Sequence, residues 1–127
     1  MNRPVLIAAA LMGLTTLAHI IGGGRDVLEP LLGTAATDEM QFYTTLLWHF
    51  ISVFLVFGTV VLAWAARDVP QRRHAIWPIA LLTLFMALLF IIVGLALLGT
   101  LWIAPQWTIL LVIPALALWP LARPAHG

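Results

Sequence analysis

IWPIALLTLFMALLFIIVGLALL, residues 76–98, is a run of twenty-three residues without one charged side chain. About twenty apolar residues in a helix cross the hydrocarbon core of a bilayer, within a working range of roughly 17–25. Lipid offers backbone N–H and C=O groups no partner, so a spanning segment is either helical or part of a closed barrel. A barrel strand alternates apolar and polar residues, and this run does not. It predicts a transmembrane helix. On either side, the segments 5–21, 42–66 and 105–121 are also apolar and long enough, the first and last narrowly. The chain reads as all-α: an integral membrane up-down four-helix bundle, a single transmembrane domain over 1–127 with an outer loop at 22–41. Short connections make consecutive helices antiparallel neighbours.

Composition agrees. Hydrophobic residues make up 63% of the 127, charged residues 9%, and the mean hydropathy is +1.08. A soluble domain carries roughly 25% charged residues, so the lipid bilayer is the expected surrounding. Cysteine is absent, which removes disulfides, thiolate metal sites and cysteine nucleophiles. Lysine is absent too, which removes Schiff-base chemistry. A net charge of +1 gives no footprint for nucleic acid. Met1-Asn2-Arg3 ahead of an apolar run, with Thr16-Leu17-Ala18 as a passable cleavage site, has the look of a signal peptide. The expectation is that it is retained as the first span.

Arginine placement orients the bundle, because cytoplasmic loops carry the positive excess. Arg3 precedes span one, Arg67, Arg72 and Arg73 join spans two and three, and Arg123 follows span four. Four crossings put these on one side. The first loop instead sets Arg25 against Asp26, Glu29, Asp38 and Glu39. Both termini are therefore expected in the cytoplasm and the 22–41 loop on the periplasmic side. Tryptophan favours the two membrane interfaces. Trp48, Trp102 and Trp107 fall at outer ends, and Trp64, Trp77 and Trp119 at inner ends. Trp48 to Trp64 covers about 24 Å at 1.5 Å per residue, one belt-to-belt crossing.

Local signals fill in the path. Ala9 and Gly13 permit close helix approach, as do Ala80, Ala87 and Gly94 at heptad spacing. Gly22-Gly23-Gly24 is read as the end of span one, and its bare backbone would let another group come close. Asp38 with Gln41 suggests a capping box opening span two. Pro70 and Pro105 suit first helical turns, while Pro78 and Pro114 lie inside apolar runs. The segment 33–37 has linker composition, and His126 belongs to a polar tail.

The candidate chemistry gathers near the outer ends of spans one and two. His19 lies about one turn before the glycines, and His49 follows Trp48. Both are expected just inside the outer interface, where ionisable groups face a bundle interior or a wet cavity. Arg25, Asp26 and Glu29 could hang above them, and Gln106 and Trp107 open span four on the same side. Several readings remain open. The histidines could simply bond neighbouring helices. They could contribute to a pocket for a small ligand, lipid, quinone or haem, the last held by two axial imidazoles. They could bind Zn or Cu, with Asp26 or Glu29 assisting. Or they could serve a small transporter or membrane enzyme, although no acidic residue lies within any span. The leading expectation is a binding or accessory-subunit protein, as a homo-oligomer or part of a larger membrane complex.

The pattern His19-x-x-Gly22-Gly23, Pro30-Leu31-Leu32, Trp48-His49 resembles small four-span proteins of the bacterial inner membrane. That resemblance covers about the first half of the chain. It implies a bacterial inner-membrane location and brings no activity with it. Small multidrug-resistance transporters match in size but rely on an acidic residue in span one, which is missing here. DoxX-like proteins share only size and span count.

Overall fold

The structure is a computed structural model that describes residues 1–34 and 37–122. It is all-helical, with no strand among the described residues. Helix α1 (Arg3–Leu17) continues through a π-helical stretch, Ala18–Leu28, into α2 (Glu29–Leu32). Helix α3 spans Asp38–Ala65. Helix α4 (Val69–Val93) continues as a π-helical turn, Gly94–Leu98, and α5 (Trp107–Leu118) ends in a 3-10 turn, Trp119–Leu121. Three of these rods, Arg3–Leu32, Asp38–Ala65 and Val69–Leu98, are long and apolar enough to cross a membrane. The fourth, Trp107–Leu121, is shorter.

Pairing is sequential and antiparallel. The Asn2 N–H donates to the Ala66 carbonyl at 2.7 Å, tying the start of α1 to the end of α3. Helix α1 packs against α3 and α5, and α4 packs against α5 and α3. Each helix thus has two neighbours around a ring. Arg3, Arg67, Arg72 and Arg73 come to one end of this ring, where the Arg72 guanidinium sits 4.3 Å from the centroid of the Trp64 ring. Arg123, His126 and part of the 33–37 linker lie outside the described residues.

The caps follow hydrogen-bond accounting. Asn2 accepts from the Val5 N–H through its side chain, and Asp68 does the same for Gln71. At the start of α3 the cap is Thr37, whose hydroxyl accepts from Met40 N–H at 3.3 Å. The N-cap therefore lies one residue before the expected Asp38. Pro70 lies in the first turn of α4, which starts at Val69 rather than at 76, and Pro78 sits inside it. Helix α5 starts at Trp107, two residues after Pro105.

The largest departure from expectation concerns Gly22-Gly23-Gly24. They do not stop the first helix, which runs on to Leu32. A glycine stop requires left-handed backbone, and among the described residues Gly99 alone has positive φ, at 66°. The glycines instead lie in the π-helical stretch, where bonds span five residues: the Glu29 N–H donates to the Gly24 carbonyl. Continuing the helix keeps the backbone groups of the apolar stretch 27–32 paired. Each interior glycine forgoes about 1 kcal/mol of helix propensity.

The core lies at the arginine-bearing end. Val5, Ala8 and Met12 of α1 pack with Leu55 and Leu62 of α3, Ile76 and Ala80 of α4, and Ile113 of α5, all nearly inaccessible. The small residues let the rods approach. A Cβ on Gly58 would stand 2.6 Å from Met12 Sδ, and one on Gly13 would stand 3.3 Å from Thr59 Cγ2. Ala80, Ala87 and Gly94 are all buried, as their seven-residue spacing suggested. The buried hydroxyls are consumed locally: Thr16, Ser52 and Thr83 each donate to a carbonyl four residues back. Outward, large apolar side chains such as Phe50, Phe57 and Ile92 are largely exposed.

Candidate functional site

The same bundle that closes at its arginine end opens at the other. The 18–28 stretch has no buried residue, and a cavity of about 630 Å3 lies between the rods. Ligand pockets commonly run about 300–1,000 Å3, with a mainly apolar lining and a few placed polar groups. Here the wall is mainly apolar, with polar groups from Thr15 and His19 of the first rod, the Trp48 indole of α3 and Gln106 ahead of α5. Apolar surface comes from Ile51 and Leu55 of α3, Met86 and Phe90 of α4, and Leu110 of α5.

His19 is fixed by Trp48. The two rings stack with centroids 4.2 Å apart and planes 16° from parallel. One turn beyond, Gly23 makes room for the indole: a Cβ there would sit 3.0 Å from both Cζ2 and Cη2 of Trp48. Trp48 is thus held against the first rod by one aromatic face and one bare backbone position. His19 Nε2 lies 3.3 Å from the Trp48 carbonyl oxygen, which also accepts from the Ser52 hydroxyl at 3.2 Å. A carbonyl can only accept, so Nε2 carries the proton. In the neutral ring Nδ1 then holds the lone pair. The imidazole is therefore held in one orientation, and in this tautomer Nδ1 is the ring atom that can accept a hydrogen bond or ligate a metal.

Of the residues singled out from the sequence, His19, Trp48 and Gln106 meet on the cavity wall. The others stand elsewhere. His49 is exposed and does not line the cavity. It follows Trp48 by one residue, and one residue turns a helix by about 100°. Arg25, Asp26 and Glu29 are exposed on the continued helix, off the wall, although Gly23 and Val27 of that segment contribute to it. Trp107 donates its indole N–H to the Leu101 carbonyl at 3.1 Å and packs near Trp102, 5.9 Å between centroids, which holds the 99–106 connection. Among the described residues no group of three or more His, Cys, Asp or Glu could hold a metal ion. With one nitrogen of His19 turned to a carbonyl and His49 on another face, the donor set here does not fit a shared Zn, Cu or haem centre.

The apolar wall from α4, Met86 and Phe90, gave no sequence signal. Thr15 could have been found, since it lies four residues before His19 and so shares its helical face.

No family model matches the chain, and no curated protein or solved structure compared with it matches either.

Proposed function

We propose that this is an integral membrane protein that binds a small, mainly apolar ligand in the cavity at the open end of its bundle, with His19 as the orienting polar contact. The observation that carries this reading is the combination of an apolar cavity of about 630 Å3 with one imidazole pinned at its wall by Trp48. A ring stacked at 4.2 Å is pre-oriented, so little rotamer freedom remains to be lost when it bonds a ligand. Long apolar rods with exposed Phe, Leu and Ile support insertion in a bilayer. Arginines at the closed end support both termini in the cytoplasm and the cavity facing outward. A bacterial inner membrane, with the 22–41 segment in the periplasm, is the setting we infer. The binding protein acts there alone, as a homo-oligomer, or as an accessory subunit of a larger complex.

Binding is favoured over transport by the buried hydroxyls. Thr16, Ser52, Thr59 and Thr83 each return their proton to their own helix. Thr16 and Thr59 also meet across α1 and α3, their hydroxyl oxygens 3.5 Å apart, but the buried polar side chains among the described residues are Thr16, Ser52 and Thr83, with no acidic group to extend that pair into a proton or ion path.

Native mass spectrometry of the detergent-extracted protein tests the reading. The expected result is an apolar small-molecule adduct on wild type that is depleted in His19→Ala and absent in Ala18→Phe. Ala18 is an exposed residue of the cavity wall, so a phenyl ring there fills the space without touching the core. An identical adduct inventory in all three proteins would remove the proposal's support.

A further inference from the structure

The cavity does not stand alone. A groove of about 350 Å3 runs along the seam between α3 and α4, lined by Phe50, Ile51, Phe54, Met86, Leu89 and Phe90. Ile51, Met86 and Phe90 line both spaces, so one wall of the cavity is also the inner wall of the groove. The seam is the least extensive contact among the four adjoining helix pairs. Its outer lip is open, with Phe50 at 62% and Leu89 at 59% exposure. Polarity is segregated between these two adjoining spaces. The polar groups, Thr15, His19 and Gln106, belong to the first rod and to the start of α5. The α3–α4 groove is lined by Phe, Ile, Leu and Met side chains, and on the cavity side α3 adds the Trp48 indole stacked on His19.

We propose that the ligand is a tailed amphiphile: its head donates a hydrogen bond to His19, and its chain crosses the cavity and leaves through the α3–α4 seam. This rests on the binding reading above and adds the ligand's class and route. The head chemistry follows from the tautomer. With Nε2–H turned to the Trp48 carbonyl, Nδ1 asks for a hydroxyl or N–H donor. The depth is consistent with a lipid-like orientation. Phe54 lies six residues past Trp48 along α3, about 9 Å deeper at 1.5 Å per residue, so a chain in the seam runs inward from a head near the mouth. A phosphatidylcholine head has no hydrogen-bond donor, which separates this ligand from bulk lipid of that class.

The test uses the full chain in phosphatidylcholine nanodiscs with a long-chain primary alcohol bearing a diazirine at the end of its chain. After photolysis, labels mapped by mass spectrometry should concentrate on Phe54, Met86, Leu89 and Phe90. Excess unlabelled alcohol should remove them, and the methyl ether of the same chain should not. His19→Phe keeps an aromatic ring against Trp48 but lacks the acceptor. It should weaken competition about fivefold, the equivalent of one hydrogen bond of about 1 kcal/mol. Leu89→Trp fills the seam and should abolish the saturable label, while calorimetric binding of a short-chain alcohol stays as in wild type. Labels spread evenly over lipid-facing positions such as Val60 and Ile92, or equal competition by the ether, would overturn the proposal. So would unchanged labelling in Leu89→Trp. In those cases, short-chain alcohol binding that depends on His19 leaves the cavity reading standing. Loss of all alcohol binding by wild type would overturn both.

Discussion

Alanine substitutions along Gly22-Gly23-Gly24 should separate three adjacent glycines by sign. All three lie in helical backbone without positive φ. Replacing an interior helical glycine by alanine gains about 0.8–1.0 kcal/mol of propensity. At Gly22 and Gly24 a new Cβ meets nothing within 4 Å, so that gain should appear whole. At Gly23 the Cβ would stand 3.0 Å from two carbons of the Trp48 indole. A rigid ring must then shift by a few tenths of an ångström against its stack with His19. An aromatic pair contributes about 0.5–1.5 kcal/mol beyond its buried area. Losing much of it offsets the propensity gain, leaving Gly23→Ala near zero or slightly destabilised. Unfolding in mixed micelles, followed by circular dichroism, gives the three stabilities, and the Trp48→Phe difference spectrum reports the indole. Gly22→Ala and Gly24→Ala should stabilise with an unchanged Trp48 signal. Gly23→Ala should change the signal without the gain. If Gly22→Ala or Gly24→Ala destabilises by more than about 1 kcal/mol, the glycines serve a left-handed or open conformation, and the continuous first rod is wrong.

Three further outcomes check the packing. Gly58→Ala brings a Cβ to 2.6 Å from Met12 Sδ and 3.3 Å from Ile79 Cγ2; overpacking of about 1–3 kcal/mol should outweigh the propensity gain, and pairing it with Met12→Ala should recover part of the loss in a double-mutant cycle. Leu62→Ala, at a fully inaccessible position, should cost about 2–5 kcal/mol in the same unfolding assay. Asn2→Ala removes the side chain that accepts from Val5 N–H and should cost about 0.5–2 kcal/mol, with hydrogen exchange accelerated in the first turn of α1.

The helices were legible because run length is a strong signal when few charges interrupt it. Their ends were less so. Glycine permits a left-handed stop without requiring one, and nothing in Gly22-Gly23-Gly24 itself says that Val27 to Leu32 will prolong the helix. Pro105 suits a first turn, yet α5 waits until Trp107. The candidate site divides along the same line. Counting residues from the expected interfaces paired His19 with His49, whereas the ring that stacks on His19 is that of the neighbouring Trp48. A residue count along a helix carries no azimuth, so the expectation for His49 said nothing of the face it takes. For Met86 and Phe90 even the usual azimuthal signal fails. A helix that is apolar all round has no hydrophobic stripe to mark its inner side, and the α4 residues lining the cavity look in sequence like the exposed Leu89 and Ile92 beside them.

Titrating a short-chain primary alcohol into the nanodisc-embedded protein tests whether the cavity beside His19 binds a ligand. The readout is the Trp48 component of the emission, isolated by difference against Trp48→Phe. A saturable change is expected in wild type, weaker in His19→Phe and absent in Ala18→Phe. A linear, non-saturating response that is the same in all three proteins would contradict it.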